Sequence, residues 1–141
     1  MAREDVSSRC NAIEECYEFM LAYAGQGLSG KENSQASGQV REYLNRAVEA
    51  LSGLAEAYAA TVKQDNLQPV ERYLAFLAVV ERDARDSVAS IQLVLAQNII
   101  SSQLIDNLNA SIHLRALLTD LFLIDEILKP QQVLAKPVVM D

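Results

Sequence analysis

Histidine occurs once in this 141-residue chain, cysteine twice, proline three times and glycine five times. Each scarcity removes a class of chemistry. One histidine and two cysteines supply no ligand set with zinc-site spacing. Ferritin-like bundles hold metal through Glu-x-x-His pairs, and the residue three before His113 is Ala110. Cys10 and Cys16, six positions apart, stand about 120° apart on a helix and cannot bridge each other within one chain. Cys10 falls on an apolar stripe and reads as a small buried hydrophobe. No metal and no cofactor is predicted.

Positive charge is also scarce. Lys and Arg number 12 against 19 Asp and Glu, a net charge of −7. The acid excess is even: residues 1–64 hold nine acids and six bases, residues 65–141 ten and six. Without a basic stripe, neither nucleic acid nor an anionic membrane surface is an expected partner. Apolar runs such as Leu121–Ile124 fall far short of the roughly 20 residues that span a bilayer. The opening Met1-Ala-Arg-Glu-Asp5 leads into a charged amphipathic pattern without the apolar core of a signal peptide, so a cytoplasmic location is expected.

What the chain has in abundance is helical periodicity. Val6, Cys10, Ile13, Tyr17, Met20 and Ala24 recur at steps of three and four, as do Val40, Leu44, Ala47, Leu51, Leu54, Tyr58 and Val62. Val70, Leu74, Leu77, Ala84, Val88, Ile91 and Leu95 continue the pattern. Such spacing puts one side chain per turn on a core-facing stripe, and no alternating stretch competes with it. The fold class is all-α.

A first helix is predicted from about Asp5 to Ala24, ending at Gly25. The second runs from an N-cap at Asn33 or Ser34 to about Lys63, tolerating Gly38 and Gly53. Asp65 or Asn66 caps a third, with Pro69 in its first turn. From Val70 to Lys129 there is neither glycine nor proline, and one helix of that length would reach about 90 Å. A turn at Asn98–Ser102, with Ser101 or Ser102 as cap, makes it two. The expectation is an up-down bundle of four helices, or three with one very long. It occupies residues 1–129, stops at Pro130, and leaves 130–141 as an extended tail.

Candidate chemistry is sparse. Gly25-x-Gly27-x-x-Gly30 matches a dinucleotide fingerprint and Gly25-x4-Gly30-Lys31 the start of a P-loop. Both need a preceding strand, and Glu32 stands where a magnesium-binding hydroxyl belongs. The loop reads as a helix connection. His113 could serve a histidine phosphotransfer module, but Leu114, Arg115, Ala116 and Leu117 follow it instead of the basic residue and glycine that let a partner approach. Glu81–Arg85 and Arg82–Asp86 read as self-neutralising i,i+4 pairs. A small enzyme or ligand-binding bundle is the remaining alternative, with no local signature of an activated nucleophile.

Association has positive support. Glu42, Glu49 and Glu56 repeat every seven residues beside the second stripe, as charges flank a packing seam. Leu114, Leu117, Leu118, Leu121, Phe122 and Ile124 occupy most of one helix circumference, more than a single core face takes. These six are the predicted interface. The sequence thus predicts a non-catalytic cytoplasmic protein of interaction or assembly, self-associating and with a protein partner.

Overall fold

The computed structural model describes residues 2–31 and 35–135, with side chains as far as Lys129. They contain six helices and no strand: α1 (Ala2–Gly25), α2 (Gln35–Leu51), α3 (Leu54–Gln64), α4 (Val70–Leu95), α5 (Ser102–Ala110) and α6 (His113–Ala135). The all-α expectation stands. The count of four does not, because two predicted helices each break in the middle.

The first break is at Ser52–Gly53, where Gly53 adopts φ 90°. Arg9 of α1 makes this end of α2 stable. Its Nη1 donates to the carbonyl oxygens of Glu49 (3.2 Å), Ala50 (3.1 Å) and Ser52 (2.7 Å). The last carbonyls of a helix lack intrahelical donors and carry the negative end of its dipole, so a cation from a neighbour meets both needs. Arg41 does the same for α4, donating to Leu95 (3.1 Å), Gln97 (2.6 Å) and Asn98 (3.1 Å). The break also puts Glu42 and Glu49 on α2 and Glu56 on α3, so the seven-residue acid repeat does not run along one helix.

The second unforeseen break is at Ile112, which takes φ 67° between α5 and α6. A left-handed backbone costs a non-glycine residue about 1–2 kcal/mol. The carbonyl oxygen of Ile112 then accepts from the Ala116 N–H at 2.8 Å, starting α6. The expected turn at 98–102 is present, with Ser101 Oγ accepting from the Leu104 N–H at 3.0 Å. Asn66, expected to open α4, instead closes α3 with φ 49°, and Pro69 is the N-cap residue of α4. At the other end α6 passes through Pro130 to Ala135. A proline removes one donor from the ladder but leaves later residues free to keep helical angles. The remaining tail, residues 136–141, and the predicted caps Asn33 and Ser34 lie outside the described residues.

α1 packs along α2, α3 and α5, while α4 packs along α6, α3 and α2. Between them lies one core of Ile13, Met20, Tyr23, Leu44, Leu54, Tyr58, Ile91, Ile105, Leu117 and Leu121, all fully buried. Because α1 has neighbours on both flanks, its buried face is wider than the predicted stripe. Cys16 and Tyr23 are inside it, and Tyr17 and Ala24 sit at its margin. α1 and α6 scarcely touch.

Candidate functional site

The predicted interface divides on inspection. Leu114, Leu117, Leu118, Leu121 and Ile124 are buried in the chain's own core, and of the six only Phe122 faces outward, at 60% exposure. Five residues thought to exceed one core face fit it after all, because α4 covers one flank of α6 and α1 and α5 approach the other. What stays outside is a different set. Leu123 (52% exposed) and Ile127 (45%) continue a row begun by the half-buried Ala116 and Asp120 at i, i+4, i+7 and i+11, about 100–160° round the helix from Phe122. The sequence pattern marks the apolar helix but not which apolar residues its neighbours leave uncovered.

His113 is exposed and is the first residue of α6. A phosphotransfer histidine would stand midway along a helix face, a position denied here by the break at Ile112. The glycine loop is likewise explained by packing. The N–H of Leu28 donates to Ser102 Oγ (2.8 Å), and its carbonyl accepts from the Ser102 N–H (2.8 Å). A Cβ on Gly30 would lie 2.6 Å from Ile99 Cγ2 and 2.8 Å from the Ile100 carbonyl. Glycine is needed there for close approach to the 96–101 turn. The loop follows α1, and both backbone polar groups of Leu28 are held by Ser102 at the start of α5.

A polar chain runs from α1 through α3 to α6. Tyr58 Oη, fully buried, donates to Asp125 Oδ1 at 2.7 Å and lies 3.3 Å from Cys10 Sγ. The hydroxyl has one hydrogen and gives it to the carboxylate, so the thiol donates to the hydroxyl oxygen. A cavity of about 330 Å³ opens beside this chain, lined by Cys10, Asn11, Glu14, Thr61, Asp125 and Lys129 among others. Burial pushes the Cys10 thiol up to about 11, with the nearby Asp125 and Glu14 carboxylates adding to the effect. Burial alone takes Cys16 to about 12. A thiol held protonated at neutral pH is a poor nucleophile. Tyr58 is raised as well, chiefly by burial, and Asp125 is raised by desolvation against the lowering effect of the tyrosine hydrogen bond.

A second polar meeting joins α4 to α6. Asp120 faces Asp83 within hydrogen-bonding reach, and Asp120 Oδ2 is buried without a donor. Desolvation first, then Asp83, raises Asp120 to about 7. The expected Glu81–Arg85 pair forms at 2.6 Å, whereas Arg82–Asp86 is absent from the ion pairs of the described residues. Among those residues no group of three or more His, Cys, Asp or Glu comes together as a metal site, and no helix is long and apolar enough to cross a membrane.

No family model, curated protein or solved structure matches this chain.

Proposed function

We propose that this is a non-catalytic cytoplasmic protein of interaction or assembly, pairing with a second copy of itself through α6. In this reading the six helices act as four up-and-down rods: α1, α2 with α3, α4, and α5 with α6. The observation that carries it is the exposure of Leu123 and Ile127 beside a core that is already closed. Burying the remaining area of each is worth about 1 kcal/mol, and a two-fold axis would set the row against its own copy. The two free, buried thiols suit a reducing compartment.

Sedimentation velocity over the micromolar range tests the pairing. The chain is expected to run as a dimer, and Leu123→Lys with Ile127→Lys as a monomer that keeps its helical fold, since both positions are exposed. A wild-type chain that stays monomeric at the highest concentration ends this reading.

A further inference from the structure

The sparse contact between α1 and α6 leaves a trough that continues, past Arg115, between α1 and α5, where Asp106, Asn109 and Ala110 line it. Three clefts of about 330, 310 and 420 Å³ lie end to end along it. Glu14 lines the first and second, and Tyr17 and Arg115 line the second and third. The trough follows α1 from Arg3 to Gly25, about 33 Å at 1.5 Å per residue. Lys129 and Asp125 stand at the Arg3 end and Arg115 towards the Gly25 end, so the two walls run antiparallel. Its floor includes buried Cys10, Leu118 and Leu128, while Phe122 and Leu21 (51% exposed) remain in water beside it.

Charge selects the occupant. Glu14, Glu18, Asp106 and Asp125 line the trough, and none is in an ion pair among the described residues. Arg115 and Lys129 oppose these four carboxylates, and Arg3 is already held by Asp65 at 2.6 Å. A second copy would bring its own net charge of −7 to an acidic wall. We propose that the trough between α1 and α6 binds an amphipathic helix of a partner protein, with apolar anchors against Leu21, Tyr17 and Phe122 and Lys or Arg along its edges. Helix-in-groove recognition reads anchors at i, i+3, i+4 and i+7, and complementary charge sets orientation and rate of encounter. This goes beyond the self-pairing reading and uses the opposite edge of α6.

The probe is a fluorescent amphipathic peptide of leucine and lysine, about 22 residues long to match the trough, with a leucine–glutamate version as control. Anisotropy is expected to show saturable binding of the lysine peptide only. Leu21→Ser with Phe122→Ser should weaken it about tenfold, as loss of buried anchors does. Glu14→Lys with Glu18→Lys should weaken it too, whereas Glu49→Lys with Asp86→Lys, equal in charge but away from the trough, should not. Equal loss from the distant pair, or wild-type affinity in the serine pair, overturns the proposal. Leu123→Lys with Ile127→Lys separates it from self-pairing. A dimer that ignores the peptide removes only the trough, and a monomer that binds it removes only the pairing.

Discussion

Asp120 and Asp125 lie five residues apart on α6 and end in opposite chemical situations. Asp125 meets a donor, the hydroxyl of Tyr58, which in turn takes a hydrogen from Cys10. Asp120 meets another acceptor, Asp83, and has a buried oxygen with no donor at all. A carboxylate leaving water needs hydrogen-bond donors or a cation to hold its charge. Where the fold supplies a donor, the acid can stay ionised. Where it supplies a second acid, the pair can satisfy itself only by keeping a proton between them.

The largest expected effect falls on the satisfied side. Tyr58→Ala empties a fully buried aromatic site and should cost about 3–5 kcal/mol in urea unfolding. Tyr58→Phe keeps the ring and removes only the hydroxyl, leaving Asp125 without its donor and Cys10 without its acceptor, for about 1–2 kcal/mol. A phenylalanine variant as stable as wild type would show that the chain of hydrogen bonds adds nothing to packing, and the contrast with Asp120 would lose its meaning.

The unsatisfied side should appear as pH dependence. Asp120 is raised from 3.8 to about 7 in the folded protein. Between those values the folded state holds a proton that the unfolded chain has released. Stability from this group is therefore fully present below about pH 4, falls as pH rises towards 7, and is level above that. Asp120→Asn supplies an amide donor to Asp83 and removes the titration. Its melting temperature should exceed wild type at pH 8 and match it near pH 4. An equal shift at both values would mean that the two carboxyls do not share a proton.

Much of this architecture was legible in the residues, and the exceptions have a common cause. Stripes at three and four fix helix type because they record which side of each segment avoids water. The turn at 98–102 is marked by the length one unbroken helix would reach and by the capping hydroxyl of Ser101, while the stripe itself runs through it. The stripes also run straight across Gly53 and Ile112, because apolar spacing continues through a bend and the groups that stabilise the bend are elsewhere. Arg9 is some forty positions before the α2 carbonyls it caps. The candidate site was hidden in the same way. Glu14, Glu18 and Asp125 look like ordinary solvent-facing acids, and only the separation of α1 from α6 sets them along one trough. Gly53 was the one available signal for the first break; nothing in the sequence around Ile112 announces the second.

The smallest effect should come from Asp125→Asn, and its smallness is informative. The amide oxygen can accept the same hydrogen from Tyr58, so geometry is preserved and only the charge is lost. Asp125 is exposed at its outer edge and desolvated towards Tyr58, so losing the charge relieves burial while weakening a charge-assisted bond. These changes oppose each other, and a stability difference below about 1 kcal/mol is expected. The thiol gives a second readout. Asp125 is among the groups that raise Cys10, after burial, so the asparagine variant should titrate slightly lower and react slightly faster with a thiol reagent at pH 9. It should still react far more slowly than the unfolded chain, because burial is the larger cause. A Cys10 that reacts as fast folded as unfolded would mean that the thiol is not enclosed between α1 and α3, and the polar chain ending at Asp125 would have to be redrawn.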